Sequence, residues 1–127
     1  MIYVGIDIAK AKFDSAVLIQ ERYKHKSFDN KLSGFKALLK WITDFGTTDS
    51  LHICMEATGN YSFPLAKYLS SKDIKVSIVN PLQVKSFASS ELSRNKTDKL
   101  DAALIARFCK EKKPRLWSVP NLSLIHI

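Results

Sequence analysis

The stretch Asn95-Lys96-Thr97-Asp98-Lys99-Leu100-Asp101-Ala102-Ala103 has the pattern of a helix start. Thr97 suits the N-cap position, and Asp98 follows in the first turn, where a negative charge is favourable next to the helix dipole. On a helical wheel Asp101 falls in the middle of the apolar face formed by Leu104, Ile105 and Phe108, and Asp98 lies at the edge of that face. A helix that buries this face therefore buries two carboxylates with it.

Buried carboxylates are costly unless they are paired, protonated or bound to a metal ion. Asp98 has a simple alternative role, which is to compensate the helix dipole. Asp101 could instead form a salt bridge with Lys99 or Arg107, but on the same wheel both bases point away from the apolar face. We therefore look for other acids that could share a cation with this pair.

Length and composition indicate a globular protein. The chain has 127 residues, of which 46% are hydrophobic, enough for one domain with a buried core. No apolar run reaches the length of a membrane span, and no signal peptide opens the chain. Cys54 and Cys109 give neither a disulfide framework nor the spacing of a metal site. These features predict a cytoplasmic protein with reduced thiols and no membrane partner.

A strong positive charge predicts an anionic partner. The net charge is +8 at pH 7, and lysines and arginines are concentrated from Arg94 to Arg115, around the acidic helix. A basic surface around a buried acidic centre is typical of an enzyme that binds a phosphate backbone and cuts it. The alternative is a solvated helix face that only improves solubility.

The first part of the chain has the pattern of three antiparallel strands. Residues 2–9 alternate, with large aliphatic residues on one face and Asp7 among small neighbours on the other. An acid on a solvated strand face is the alternative interpretation of Asp7. Residues 12–19 and 22–29 form two further strands, and Gln20-Glu21 between them suits a tight hairpin.

The rest of the chain alternates helices and strands. Residues 51–56 are nearly all apolar and end in Glu56, which is typical of a buried parallel strand with a site residue at its carboxyl end. Residues 75–79 form a further strand. The other predicted elements are a helix from a cap at Asn30 or Ser33 to about Phe45, a helix over 61–72, a helix starting at Asn80-Pro81, and a polar segment from Ser89 to Lys96.

This element order, β-β-β-α-β-α-β-α-α, is the topology of the ribonuclease H-like fold. That α/β fold has a mixed five-stranded sheet of order 3-2-1-4-5 with helices on both faces. Its first and fourth strands are neighbours, and the last helix packs over them. The acids expected to converge there are Asp7, Glu56, Asp98 and Asp101. Four carboxylates cannot all stay ionised without cations, and their oxygens suit Mg²⁺ or Mn²⁺, which in a two-ion site would promote an in-line phosphoryl transfer.

Four stretches of the chain together resemble a known family. They are Gly5-Ile6-Asp7-Ile8-Ala9-Lys10, Met55-Glu56-Ala57-Thr58-Gly59-Asn60-Tyr61, Val79-Asn80-Pro81 and Lys96-Thr97-Asp98-Lys99-Leu100-Asp101-Ala102. In this order, over about residues 1–120, they are similar to the motifs of the DEDD insertion-sequence transposases, a family that includes Piv-type DNA invertases. The resemblance implies an N-terminal RuvC-like domain whose catalytic, metal-binding residues are Asp7, Glu56, Asp98 and Asp101.

The resemblance also implies DNA strand exchange guided by a structured RNA and carried out by homo-oligomers of the full-length protein. Family members carry a C-terminal domain with a nucleophilic serine, whereas Ser123 lies in no matching motif. We therefore predict a RuvC-like domain over residues 1–115 and, over 116–127, a tail that begins a truncated linker or C-terminal region. The residues predicted to bind nucleic acid are Lys10, Arg94, Lys96, Lys99 and Arg107.

Three other functions fit parts of the pattern. The main alternative is a stand-alone RuvC-like endonuclease that cuts DNA junctions, which would share the four acids and the basic surface. An ATP-binding protein of the actin and sugar-kinase type would need a glycine-rich phosphate turn after Asp7, and the sequence has none there. A non-catalytic nucleic-acid-binding module would keep its affinity when the carboxylates are removed.

Overall fold

Five strands form one mixed sheet in the computed structural model, which describes residues 1–57, 60–91 and 102–118. The strands are β1 (Ile2–Ile8), β2 (Lys12–Ile19), β3 (Arg22–Asp29), β4 (Leu51–Glu56) and β5 (Lys75–Val79). The helices are α1 (Leu32–Thr43), α2 (Phe63–Ser71), α3 (Pro81–Glu91) and α4 (Ala102–Lys112), and a short 3-10 turn spans Thr48–Ser50.

The strand order is β3-β2-β1-β4-β5, as predicted. β1, β2 and β3 form an antiparallel meander, whereas β4 runs parallel to both β1 and β5. The predicted hairpin at Gln20 and Glu21 is also confirmed: both residues have positive φ, 49° and 68°. A two-residue turn of this kind matches the twist of the strands that it joins.

Each face of the sheet is covered by a pair of helices. Val4, Ile6 and Ile8 point from β1 into a core formed with α1 and α2. The opposite face packs against α3 and α4, where Phe87 and Phe108 meet edge to face with ring centroids 5.6 Å apart. Because both faces are covered, all six residues of β4 are buried, which explains its continuous apolar sequence.

Several predicted helix boundaries differ from the structure: α1 ends at Thr43 and not at about Phe45, and α2 spans Phe63–Ser71 and not 61–72. α1 begins after Lys31, and no side chain caps it, because the Asn30 amide donates hydrogen bonds to backbone carbonyls outside the helix instead. α3 continues through Ser89 to Glu91, so the first part of the predicted polar segment is helical. The Asn80 side chain accepts from the Leu82 N–H at 2.8 Å and so starts α3 directly before its proline.

Residues 113–118 follow α4 without forming a helix or strand. The Trp117 N–H donates to the Val76 carbonyl at 2.7 Å, and the Trp117 ring packs against Phe63. This segment therefore lies along β5, while the domain limit at residue 115 stays a prediction. Across the ranges that the structure describes, the helices are all too short or too polar to cross a lipid bilayer.

Candidate active site

Asp7 and Glu56 lie side by side at the carboxyl ends of two neighbouring strands. β1 and β4 are parallel, and Ile6 lies opposite Met55 in their register, so the next residue on each strand is the acid. Paired residues on adjacent strands project to the same face. Glu56 is only 9% exposed, and Asp7 is half-buried. The structure therefore confirms the predicted adjacency of these two acids.

A glycine on β1 lets α4 approach the same face closely. A Cβ atom at Gly5 would lie 2.1 Å from the Ala102 carbonyl oxygen and 2.3 Å from the Ala106 nitrogen. Further along α4, the Cys109 thiol lies 3.8 Å from the His52 carbonyl oxygen. α4 therefore runs in the direction opposite to β1 and β4, and its first residues lie towards the strand ends that carry the acids.

Several predicted site residues lie outside the described ranges. They are Arg94, Lys96, Asp98, Lys99 and Asp101. Their predicted roles therefore stay predictions. The described start of α4 is Ala102, which directly follows Asp101 in the chain.

The two remaining predicted nucleic-acid contacts differ in their surroundings. Lys10 is exposed in the loop between β1 and β2, three residues after Asp7. Arg107 instead forms an ion pair with Glu21 at 2.8 Å and contacts Glu111 at 3.5 Å. The hydrogen bond to Glu21 raises the pKa of the Arg107 guanidinium. A phosphate that contacts Arg107 would have to share it with Glu21.

Asp14 is a further acid beside the candidate site, and it belongs to none of the predicted motifs. It lies directly opposite Asp7 in the β1–β2 register and accepts a hydrogen bond from the Ser27 hydroxyl. A cavity of about 280 Å³ lies next to it, between β2, β3 and Ala102. The short β1–β2 connection could have identified Asp14, because it fixes which residues of the two strands face each other.

The fold also brings together His52, Cys54 and Cys109, whose linear spacing had suggested no site. Their ligand atoms lie within 4.8 Å of one another, and all three residues are buried. His52 Nε2 is 2.7 Å from the Ser77 hydroxyl. Burial lowers the pKa of His52 and raises that of the Cys109 thiol, so both groups are neutral at pH 7. Cys54 on β4 and Cys109 on α4 both belong to the core between that helix and the sheet.

The donor atoms at the acidic end fit a hard divalent cation. Asp7 and Glu56 offer carboxylate oxygens, the ligands that Mg²⁺ and Mn²⁺ prefer. Glu56 is buried, and a nearby cation would offset the free-energy cost of burying its carboxylate in the ionised form. The oxygen-only chemistry of this pair separates it from the sulfur-rich cluster between β4 and α4.

Known proteins resemble this chain in both sequence and fold. Pilin gene-inverting proteins of Moraxella bovis and Moraxella lacunata are each 43% identical to it over 116 residues, which is 91% of this chain and 36% of theirs. RuvC of T. thermophilus, solved in complex with Holliday junction substrate, matches with a TM-score of 0.58 at 12% identity, covering 88% of this chain and 96% of that one. Another Thermus thermophilus RuvC structure gives a TM-score of 0.52, with 12% identity and coverage of 89% and 97%.

These similarities carry different weights. At 12% identity the RuvC structures show the fold alone, which is the ribonuclease H-like fold predicted from the element order. The chain spans 36% of the length of the two Moraxella proteins. A family model described as a transposase, of the DEDD type named for IS110, matches residues 4–124. The chain therefore belongs to the DEDD transposase family of the IS110 type.

Proposed function

We propose that this chain carries the metal-dependent phosphoryl-transfer site of a DNA transposase or recombinase. The observation that carries the proposal is the placement of Asp7 and Glu56 at the carboxyl ends of adjacent parallel strands, on the face that α4 covers. Open α/β sheets place their sites at such strand ends. The relatives named as gene-inverting proteins support a DNA substrate.

Asp101 and Asp98 complete the proposed site. Ala102 lies beside Gly5, which is two residues before Asp7 on β1. α4 runs opposite to β1, so Ala102, its first described residue, lies towards the strand ends that carry Asp7 and Glu56. A short extension of α4 in the same direction would bring both aspartates towards Asp7 and Glu56. The sequence motif supports this placement, and the two aspartates themselves lie outside the described ranges.

The four carboxylates would hold Mg²⁺ or Mn²⁺, which supplies charge neutralisation and Lewis acidity when bound. The protein's own contribution is to hold the acids on rigid strands and on a helix, so that their oxygens converge without rearrangement. Lys10 and the predicted bases Arg94, Lys96 and Lys99 would contact flanking phosphates, since the chain has a net charge of +8. Arg107 would join them only by sharing its ion pair with Glu21.

The resemblance to the family supports three finer points of the proposal. The full reaction is strand exchange guided by a structured RNA, it needs a serine-bearing C-terminal domain, and it is carried out by homo-oligomers. We place the protein in the cytoplasm, where its free thiols Cys54 and Cys109 would stay reduced. The 43% identity to gene-inverting proteins favours this function over a stand-alone junction-cutting endonuclease.

Paired thermal melts with and without Mn²⁺ test the proposed site. Mn²⁺ should raise the melting temperature of the wild type, because the ion binds only the folded protein. At a concentration of about 100 Kd the stabilisation is roughly 2.7 kcal/mol. Asp7→Asn and Asp101→Asn should abolish this response. In the absence of metal both variants should be at least as stable as the wild type, because two carboxylates about 4 Å apart repel by about 4 kcal/mol at an effective dielectric of about 20.

Asp44→Asn is the matched control, because Asp44 is an exposed acid at the far end of α1. This variant should keep the full Mn²⁺ response. If Asp101 were instead a structural salt-bridge partner, Asp101→Asn would destabilise the metal-free protein and leave the Mn²⁺ response intact. That pattern would exclude Asp101 from the metal site. A wild type that shows no Mn²⁺ response would refute the site as a whole.

A further inference from the structure

The side chain of Asn30 connects the two loops that follow the acid-bearing strands. Its Nδ2 donates to the Ala9 carbonyl at 2.9 Å and to the Lys10 carbonyl at 3.4 Å, both in the loop after β1. The same nitrogen lies 3.3 Å from the Tyr61 carbonyl, in the turn after β4. We infer that Asn30 is a positioning residue that fixes the spacing of Asp7 and Glu56, an inference that rests on the proposed function.

The orientation of the Asn30 amide follows from its partners. All three are backbone carbonyl oxygens, which only accept hydrogen bonds, so the nitrogen and not the oxygen must face them. The amide has two hydrogens, which the three carbonyls share. The Asn30 backbone N–H adds a fourth link, to the Ala11 carbonyl at 2.9 Å. One residue therefore anchors the whole β1–β2 loop and joins it to the turn before α2.

These bonds act close to the acids. Ala9 is two residues after Asp7, and Tyr61 is five residues after Glu56. Holding both segments limits how far the ends of β1 and β4 can move apart or twist, and Lys10 is held in the same loop. α1 does not use the Asn30 side chain, because its N-cap position is Lys31 and no side chain caps the helix. The hydrogen bonds of the Asn30 side chain therefore go to the two loops and not to α1.

The variant Asn30→Leu tests the inference, because leucine has nearly the shape of asparagine but cannot donate. We expect its Mn²⁺ affinity to fall about 10-fold, the lower end of the loss seen when groups that orient metal ligands are removed. In the metal-free protein, hydrogen exchange should speed up at the Ala9 amide, which donates to the Lys12 carbonyl at 2.9 Å. Both effects come from the loss of donation to the loops.

Thr43→Val is the matched control. The Thr43 hydroxyl also donates to backbone carbonyls, those of Leu39 at 2.8 Å and Lys40 at 3.1 Å, but it lies at the end of α1 away from the acids. This change should leave the Mn²⁺ affinity and the Ala9 exchange rate unchanged, whatever its effect on stability. If Asn30→Leu does not fold, Asn30→Ala replaces it and should show the same loss of Mn²⁺ affinity, because alanine also lacks a side-chain donor.

The outcomes separate this inference from the proposed function. If the wild type and Asn30→Leu bind Mn²⁺ equally well, Asn30 is structural only and the positioning role is wrong, while the metal site stands. Faster Ala9 exchange with unchanged Mn²⁺ affinity leads to the same conclusion. A wild type that does not bind Mn²⁺ overturns the proposed site, and the positioning role with it. Weaker binding by Asn30→Leu but not by Thr43→Val supports both.

Discussion

Gly5 determines how closely α4 approaches the sheet, because the backbone of α4 fills the space that a Cβ atom would take at residue 5. Gly5→Ala should therefore force α4 away from β1. We expect the free energy of unfolding to fall by about 1–3 kcal/mol or more, as for other insertions into a packed core. Urea denaturation measures the change. The Mn²⁺ response should weaken too, since the start of α4 would move relative to Asp7.

Gly46→Ala is the control for this prediction. A Cβ atom there would meet only the ends of side chains, Ser50 Oγ at 2.6 Å and Ile2 Cδ1 at 2.7 Å. Such atoms can turn aside, so this variant should cost clearly less than Gly5→Ala. Equal losses for the two variants would show that α4 is not held by close backbone contact at Gly5.

The positions of single residues in the candidate site and in the buried cluster were predictable to different degrees. Asp7 and Glu56 followed from strand alternation and from an acid at the end of an apolar run, both of which are local patterns. The cluster of His52, Cys54 and Cys109 was not predictable, because Cys109 is on a different element from the other two. Only the packing of α4 on β4 brings them together.

At the level of elements, the β2–β3 hairpin is fastened to α4 through its turn. The Glu21 carboxylate in this turn forms ion pairs with Arg107 at 2.8 Å and with Lys110 at 3.3 Å. Hydrogen bonds from these two bases lower the pKa of the Glu21 carboxyl below its ordinary value of 4.5. The ion pairs therefore contribute stability at pH values above about 4.5, and this contribution is lost as the pH falls through the lowered pKa.

Glu21→Gln should accordingly lower the melting temperature slightly at pH 7, because the ion pairs are exposed to solvent. The difference from the wild type should shrink as the pH is reduced below 4.5. Glu111→Gln makes the same charge change but removes only a contact within α4, so its effect at pH 7 should be smaller. Thermal melts of the wild type and both variants across this pH range measure the effect. A difference in melting temperature that grows as the pH falls would contradict a stabilising role of the Glu21 ion pairs.

The strands were easier to predict than the helix ends. Strand alternation and the two-residue turn fixed β1 to β3 to within one residue, since period and turn length together determine the register. Helix ends depend on where individual polar side chains bond. Asn30 could have capped α1 but is used by the loops, and α3 continues past the serines that suggested its end.

At the level of the whole molecule, topology follows from element order, whereas the complete site does not. The order of strands and helices along the chain predicted a sheet of order 3-2-1-4-5, and the observed sheet has this order. Convergence of all four acids depends in addition on residues 98 and 101, which precede the described start of α4. The place of Asp98 and Asp101 in the site is therefore supported by the family motif.

The net charge of +8 leads to a last prediction about nucleic-acid binding. Each phosphate contact releases counterions, so the affinity for a labelled DNA duplex should fall steeply between low and physiological salt, with a slope of about 0.9 per contact on logarithmic axes. Chelator in the buffer would prevent cleavage during the measurement. An affinity that is insensitive to salt would refute binding through phosphates.

Lys10→Gln makes the test local, because Lys10 is exposed in the loop that follows Asp7. If Lys10 contacts a phosphate, this variant should reduce the salt slope by about 1 and weaken binding similarly for all sequences. Lys40→Gln removes the same charge from the last turn of α1, away from the acids, and should leave the slope nearly unchanged. Equal effects of the two variants would mean that the overall charge attracts DNA without a contact at Lys10, and DNA would then not have to pass over the ends of β1 and β4.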